Sequence, residues 1–334
     1  KDALKRASER VGTGASLAAN STQLKTGTYA YQANYFTAQW NGDLKALKVD
    51  STTGEIASDS TWTAASNLTS ATAATRNIWT YNSDTKTYVA FKNAAATTTP
   101  PAAAAPPALS TTQLSALAST AAGQMDMVNY LRGDSSKVTA NSYRSRVSPL
   151  GDIVDSQPVY VGSPDPDQFT GQSNLTGLSS FASYANTNSS RVGLIYVAAN
   201  DGMLHAFYAD GVAATSTAAA IPAGSEAYAY LPGAVIKDAG LANLANPEYG
   251  SDTLPHQYFN DGELTVADAY FGSTPAWHTV LVGTTGRGTA RVIYALDVTD
   301  PAAIKFLWER SAGDGGTNSG SIGQMTGKPV IAQT

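Results

Sequence analysis

A short pattern recurs along this chain and limits the folds that it can adopt. The segments GDLKALKVD (residues 42–50) and GMLHAFYAD (202–210) both follow G-x-L-x-A-[L/F]-x-x-D, and RVIYALDVTD (291–300) is a looser third copy. Each copy follows another strand-like run, which is YAYQANYFTAQW, LIYVAAN or HTVLVGTTG. A pattern that returns with its neighbours indicates one supersecondary unit used several times.

Each copy is joined to the preceding run by glycine-containing residues, which are Asn41-Gly42, Asp201-Gly202 and Gly286-Arg287-Gly288. Asn-Gly and Asp-Gly are favoured two-residue hairpin turns because both central residues take a positive φ. We therefore expect a β-hairpin at each copy. In LIYVAANDGMLHAFYAD this leaves Asp201 in the turn and Asp210 at a strand end, although Asn200, Asp201, His205 and Asp210 could also converge on a ligand.

Two further features repeat. SQPVYVG (156–162) and GKPVIAQ (327–333) place proline directly before a short β run, which is tolerated at a strand start. Trp62 and Trp308 each lie downstream of a repeat copy. Together these features predict an all-β fold, a partial β-propeller of radially repeated four-stranded sheets. A β-sandwich is the alternative, but it does not account for repeats at the scale of a blade.

The pattern along the chain divides it into a lead-in and one long β domain. Residues 1–27 are polar with weak helical spacing and predict a helical lead-in, and residues 28–334 form the propeller domain. Within that domain, residues 93–109 are an Ala/Thr/Pro-rich insertion that cannot build a packed core.

Helical interludes break the β pattern. A helix is predicted near 111–132, with Ser110 or Thr111 as its cap, and helical or irregular segments near 177–188 and 234–245. The inserted loops, which vary most freely, are the expected places for partner contacts, namely residues 93–124, 163–190, 211–227 and 239–254.

Composition excludes several functional classes. The 334 residues carry 21 basic and 26 acidic side chains, a net charge of −5, with no cluster of the kind that nucleic-acid binding needs. No uncharged run is apolar enough for a membrane span. The absence of cysteine removes disulfides, thiolate metal sites and cysteine nucleophiles. Low charge, at 14%, suits a secreted bacterial surface protein.

Several long motifs in fixed order resemble a known family. They are NSTQLKTGTYAYQANYFTAQWNGDLKA (20–46), NYLRGD (129–134), SRVSPLGDIVDSQPVYVG (145–162), RVGLIYVAANDGMLHAFYAD (191–210), HQYFNDGELTVADAYFG (256–272) and TVLVGTTGRGTARVIYALDVTDP (279–301). Over nearly the whole chain they resemble the propeller domain of the PilC/PilY family, the adhesins of bacterial type IV pilus tips.

The resemblance implies a role and a larger protein. Family members are exported, lie at the pilus tip with minor pilins, promote pilus assembly, oppose retraction, support twitching motility and attach to host cells or other surfaces, which contributes to virulence. Their propeller is quinoprotein-like and seven-bladed, and often follows a von Willebrand factor A-like region. We therefore expect a fragment without that region and without the last blades. The family's calcium loop is expected beyond Thr334.

Candidate ligand sites within the chain are weak. Asp165 and Asp167 in SPDPDQ are too few for the six to eight oxygens that calcium takes, and GDGGTNSG (313–320) has one carboxylate. We expect no metal site and no cofactor within these residues. Arg132-Gly133-Asp134 is a possible integrin-type motif, but it also matches the family's NYLRGD, where Gly133 could end a helix and Asp134 start a turn.

Catalytic constellations are absent or weak. No G-x-S-x-G elbow or P-loop is present, and GTTGRGTAR (283–291) breaks the dinucleotide fingerprint at Arg291. His205, His256 and His278 lack ligand spacing, and His205 is expected at a blade edge or facing solvent. A binding and assembly protein is predicted, not an enzyme. The alternatives are a pyrroloquinoline-quinone-type dehydrogenase, whose usual vicinal disulfide is missing, and a periplasmic propeller scaffold for outer-membrane assembly.

Overall fold

Three β-sheets form the frame of the protein. The computed structural model describes residues 11–19, 27–68, 73–92, 109–139 and 142–333. The first sheet has the order β1-β2-β3-β4, the second β6-β5-β10-β9-β8-β7 and the third β11-β12-β13-β14. The strands are β1 (Val11–Ala19), β2 (Tyr29–Phe36), β3 (Asn41–Val49), β4 (Ile56–Thr63), β5 (Ile78–Asn82), β6 (Thr87–Ala90), β7 (Val159–Val161), β8 (Leu194–Ala198), β9 (Leu204–Tyr208), β10 (Glu226–Leu231), β11 (Leu264–Phe271), β12 (Ala276–Thr284), β13 (Val292–Asp297) and β14 (Lys305–Ser311).

Short helices lie between the strands. They are α1 (Ala64–Asn67), α2 (Thr111–Leu117), α3 (Ala121–Leu131), α4 (Leu178–Thr187) and α5 (Gly233–Asp238), with 3-10 turns at Leu241–Ala245 and Ser319–Ser321. The helix predicted near 111–132 is therefore two helices. Ser110 caps the first, because its hydroxyl accepts from the Gln113 amide while the Gln113 side chain accepts from the Ser110 amide. No helix among the described residues is both long and apolar enough to cross a membrane.

The three repeat copies occupy equivalent places, and this confirms the partial β-propeller. They form β3, β9 and β13, each the third strand of an antiparallel four-stranded unit. Their central alanines, Ala46, Ala206 and Ala295, are all buried. The second unit is extended by the β5–β6 hairpin, whose strand β5 pairs in parallel with β10. A small side chain at the repeat centre lets neighbouring sheets approach closely.

The second sheet lies between the other two. Ile195, Val197 and Phe207 share a buried cluster with Tyr31 and Leu44 of the first sheet. Side chains on its other face, which include Leu194, Tyr196 and Ala206, pack in the large cluster with β11, β12 and β13. Because successive strand residues point to opposite faces, β8 and β9 are buried on both sides.

The lead-in is not helical where the structure describes it. Residues Val11–Ala19 form β1, which pairs antiparallel with β2 through contacts such as Ala18 with Tyr31. The β2 backbone needs partners on its free side, and that tertiary demand overrides weak helical spacing. Residues 1–10 and 20–26 of the predicted lead-in, and residues 93–108 of the low-complexity insertion, lie outside the described residues.

The first predicted hairpin turn is displaced. Asn41 and Gly42 pair within β3, opposite Phe36 and Tyr35, and the turn is residues 37–40. A Cβ on Gly42 would stand 2.2 Å from the carbonyl oxygen of Gly151, so glycine serves a close backbone approach there. The other two turns lie where they were predicted, and Gly202 and Gly286 there have a positive φ, of 96° and 57°, whereas Asp201 does not.

The two segments that begin with proline differ from each other in secondary structure. Val159–Val161 directly after Pro158 forms β7, as expected. Residues 327–333 form no strand, and the hydroxyl of Thr265 donates to the Pro329 carbonyl. A β run is stable only against a partner strand, and none pairs with this segment among the described residues.

Candidate functional site

The turn between β8 and β9 lies in a buried network of charged side chains. His205 is fully buried on β9, with Nδ1 2.8 Å from a carboxylate oxygen of Glu226 and Nε2 3.1 Å from one of Asp201. Glu226 also binds Arg76 through two hydrogen bonds, of 2.6 and 2.8 Å. The imidazole was expected to face solvent or a blade edge, and that expectation was wrong because β9 has a sheet packed on each face.

The network fixes the protonation state of His205. Burial alone lowers the pKa of the imidazole, but the two carboxylates outweigh burial and raise it to about 9. The guanidinium of Arg76 and the imidazole in turn lower the pKa of Glu226 to about 2, against the effect of its burial. At neutral pH both ring nitrogens therefore donate, and His205 has no lone pair with which to act as a general base.

A second cluster adjoins the first and connects three segments of the chain. The Asn200 amide nitrogen donates to Asp152 at 2.8 Å and to Asp261 at 3.4 Å, and the Asn200 oxygen accepts from the backbone N–H of Phe259. Asp152 also binds His256 at 2.9 Å. The segments before β7 and before β11 are thus held to the β8–β9 turn.

Asp261 and Arg287 form the solvent-side end of this cluster. Burial raises the pKa of Asp261 to about 6, although the Asp155 amide and Arg287 partly offset it. Arg287 spans Asp261 at 3.1 Å and the exposed Asp155 at 2.9 Å. The polar groups within each cluster bind one another. The two clusters therefore hold segments of different blades together.

Three of the four residues singled out in LIYVAANDGMLHAFYAD do come together. Asn200, Asp201 and His205 are buried within these two clusters, whereas Asp210 is exposed at the end of the β9 segment. Asp201 accepts from the Met203 amide and from the Gly151 amide, and so shapes the turn as expected. These three side chains therefore bind other protein groups within the two clusters.

The integrin-type tripeptide is built into the fold. Arg132 is 6% exposed, and its guanidinium donates to the carbonyl oxygens of Phe91, Ala73, Ala74 and Arg76. Gly133 has φ of 107° directly after α3, and Asp134 accepts from the Ser136 amide. The helix-end and turn roles are confirmed, and the buried arginine argues against recognition by an integrin, which needs that side chain exposed.

The carboxylates of the acidic loops form hydrogen bonds and an ion pair within the protein. Asp165 accepts from the Asp167 amide and both are exposed, while Asp314 binds Arg310 at 2.7 Å. Within the described ranges, no group of three or more histidine or acidic side chains is placed to hold a metal ion. His256 and His278 are each bound to one aspartate, Asp152 and Asp297 respectively.

An apolar surface covers the outer face of the third sheet. It borders a cavity of about 780 Å³ lined by Val280, Val282, Ile293, Leu307 and Trp308 and covered in part by residues 325–332. Trp308 is 41% exposed here, whereas Trp62 is 9% exposed between the first two sheets. Trp308 is therefore much less covered than Trp62, although both lie downstream of a repeat copy.

Sequence patterns singled out Asp201 but not Glu226 and Arg76, the other charged members of the network around His205. Arg76 and Glu226 lie 150 residues apart and belong to no motif. A signal was available in the strand itself, since a histidine between apolar residues of a strand that is buried on both faces must find a buried partner. The position of that partner depends on how β10 pairs with β9.

Comparison with known proteins decides the family. A family model described as the PilY1 beta-propeller domain matches residues 150–334, more than half of the chain. The chain belongs to the PilY1 family. Its resemblance to the PilC/PilY propeller is thereby confirmed, and the PilY1 propeller match agrees with the repeated four-stranded units.

Relatives within the PilY1 family are much longer than this chain. A type IV pilus biogenesis factor PilY1 homolog of Xylella fastidiosa is 37% identical over 97% of this chain, which covers 22% of that protein. Type IV pilus biogenesis factor PilY1 of Pseudomonas aeruginosa strain PAK is 36% identical over 62% of the chain, which covers 16% of it. The chain therefore spans about a fifth of these PilY1 relatives.

One solved structure is also similar in sequence. It is the crystal structure of the Pseudomonas aeruginosa PilY1 C-terminal domain, 35% identical, with a TM-score of 0.29, over 46% of this chain and 25% of that one.

Proposed function

We propose that this chain is the propeller segment of a type IV pilus biogenesis factor that binds pilus components and acts in assembly, without catalysis. The observation that carries the proposal is the identity of 37% over 97% of the chain to a relative named as a type IV pilus biogenesis factor PilY1 homolog. The function is inferred from this similarity.

We further propose that the protein acts outside the cell, at the pilus tip or outer surface, after export through the periplasm. It contacts minor pilins there, attaches to host cells or abiotic surfaces, and supports pilus extension and twitching motility. The low charge of 14% is compatible with this location. Ca²⁺ is proposed to bind outside these residues.

Genetics in the source bacterium tests the proposal. The gene is deleted and restored either as the wild type or as Leu44→Asp, which places a charge in the buried cluster between the first two sheets. We expect the deletion and the variant to reduce surface pili and the twitching zone, and the wild type to restore both. A retraction-deficient background separates assembly from retraction, since pili return there if only the opposition to retraction was lost.

The same strains distinguish the alternatives. Unchanged pili with a leaky outer membrane would contradict the proposal and favour the periplasmic scaffold. Quinone absorbance in the purified protein, with pili unchanged, would favour the dehydrogenase. Protease accessibility on intact cells tests the surface location, and minor pilins co-purifying with the wild type but not with the variant test the partner.

A further inference from the structure

A cavity of about 510 Å³ lies beside the turn that follows α3 and contains one arginine. Its lining includes Tyr130, Asp134, Ser135, Ser145 and Arg146. Gly133 and Asp134 of the integrin-type tripeptide thus border this cavity, whereas the buried Arg132 does not line it. The volume is that of a pocket for a small organic molecule and exceeds the needs of a bare ion.

The Arg146 side chain is fixed in place but has few acceptors. Its guanidinium carbon lies 3.9 Å from the centroid of the Tyr130 ring, and one guanidinium nitrogen donates to the Tyr130 carbonyl oxygen. No acidic side chain of the described residues lies within 4.0 Å of it. A guanidinium has five N–H donors in a planar fork, so most of this fork is available.

Two other arginines, Arg76 and Arg132, are buried and have more acceptors than the half-buried Arg146. Arg76 binds the Glu226 carboxylate through two hydrogen bonds and also the Arg132 carbonyl, and Arg132 donates to four carbonyl oxygens. Burial lowers the pKa of Arg146 to about 10, so it remains charged at neutral pH. A partly buried charge with no counterion beside it favours a ligand that supplies one.

We propose that this cavity binds a single carboxylate group of a small organic ligand, with Arg146 as the anchoring cation. A carboxylate matches the planar fork with two parallel hydrogen bonds, and the Ser135 and Ser145 hydroxyls line the same space. Asp134 on the cavity wall opposes a second negative charge, so a monocarboxylate is preferred to sulfate or phosphate. This proposal stands apart from the pilus role.

Calorimetric titration of the purified chain tests it. The probes are N-acetylalanine, its uncharged amide and inorganic sulfate at equal ionic strength. We expect binding of N-acetylalanine, with the amide and sulfate each weaker by about tenfold or more, because a charge-assisted pair is lost or a like charge is introduced. Sulfate bound as tightly as N-acetylalanine would overturn the carboxylate preference.

Variants of Arg146 and Asp134 test whether the probe binds in this cavity. Arg146→Met should weaken N-acetylalanine binding by about tenfold or more, and Arg146→Lys should weaken it less, since lysine keeps the charge but not the fork. The matched control is Arg144→Gln, because Arg144 lies over Tyr249 and donates to Leu244 and Gln39, outside the cavity. Asp134→Asn should reduce the difference in affinity between N-acetylalanine and sulfate, because it removes the negative charge that opposes sulfate.

A readout without substitution covers the case in which Arg146→Met does not fold. In the wild type labelled at arginine, the Nε–Hε resonance assigned to Arg146 should shift on titration with N-acetylalanine and not with its amide. No shift at millimolar probe, or equal binding by folded Arg146→Met and the wild type, would refute the proposal.

Discussion

At the residue scale, the molecule depends on buried charges that neutralise one another. His205 lies between Asp201 and Glu226, and Glu226 also binds Arg76, so two cations face two carboxylates whose side chains are almost fully buried. Removal of one partner leaves an uncompensated buried charge, which is more harmful than loss of the whole set. The arrangement is therefore sensitive to single substitutions and to pH.

His205→Leu should lower the free energy of unfolding by about 3–5 kcal/mol, since Asp201 and Glu226 would then face each other with only Arg76 as a cation. The pKa of His205 is raised from 6.5 to about 9, so its contribution to stability is complete below pH 6.5 and is lost as the pH rises through about 9. Urea denaturation from pH 7 to 9.5 should show this loss in the wild type and not in the variant.

His278→Leu is the control for this experiment. The His278 side chain is 26% exposed, contacts one carboxylate, that of Asp297, and lies beside the ring of Phe271, so its removal should change stability by about 1 kcal/mol or less. Equal effects of the two substitutions would contradict the role assigned to the network.

The RGD tripeptide gives a second prediction at this scale. Arg132→Ala leaves four carbonyl oxygens without their donor and should destabilise the fold by about 2–4 kcal/mol. Asp134→Ala loses one turn hydrogen bond to Ser136 and should cost below about 1 kcal/mol. Chemical denaturation measures both, and specific binding of the folded wild type to purified integrin, abolished by Asp134→Glu, would restore the integrin hypothesis.

At the element scale, equivalent positions of the repeat differ in what covers them. Trp62 on β4 pairs with Ala46, and Trp308 on β14 pairs with Ala295. Trp62 packs between the first and second sheets, where its indole N–H donates to the Ala209 carbonyl at 3.2 Å. Trp308 borders the cavity on the outer face of the third sheet.

Alanine substitution at the two tryptophans should separate these environments. Trp62→Ala creates a cavity between sheets and should lower the free energy of unfolding by about 3–5 kcal/mol. Trp308→Ala removes a side chain that is 41% exposed and should change it by about 1 kcal/mol or less. Thermal unfolding of the purified chain measures both, and a large loss for Trp308→Ala would show that the outer face is packed in solution.

At the scale of the whole molecule, buried acids set the pH dependence of stability. Glu309 on β14 accepts from the Tyr230 hydroxyl at 2.5 Å and from the Gly233 and Ala234 amides at the start of α5, so it connects the third sheet to the second. Burial raises the pKa of Glu309 from 4.5 to about 7. An acid with a raised pKa favours the folded state when protonated, and that advantage declines as the pH rises from 4.5 through 7.

Glu309→Gln should therefore flatten the pH profile. The wild type should be most stable near pH 5–6, where Glu226 is ionised, His205 is charged and Glu309 is largely protonated, and should lose about 1–3 kcal/mol between pH 5 and pH 8. In Glu309→Gln we expect a smaller loss over the same interval, as measured by urea denaturation. An identical slope in both proteins would show that Glu309 is ionised throughout.

Local sequence determined much of this molecule. The repeat predicted the positions of β3, β9 and β13. The Ser110 cap and the positive φ of Gly202 could be predicted from neighbouring residues alone. Such features depend on the conformational preferences of a few consecutive residues. The long motifs also indicated the family to which the chain belongs.

Tertiary structure decided what the buried polar residues contact. The pairing of β10 with β9 brings Glu226 to His205, the close approach of Gly151 keeps Gly42 inside a strand, and a free edge of β2 makes a strand of Val11–Ala19. The Arg146 cavity likewise has no local signature. Periodicity reports which face of an element is apolar, but the partner of a buried charge is fixed only when distant segments pack together.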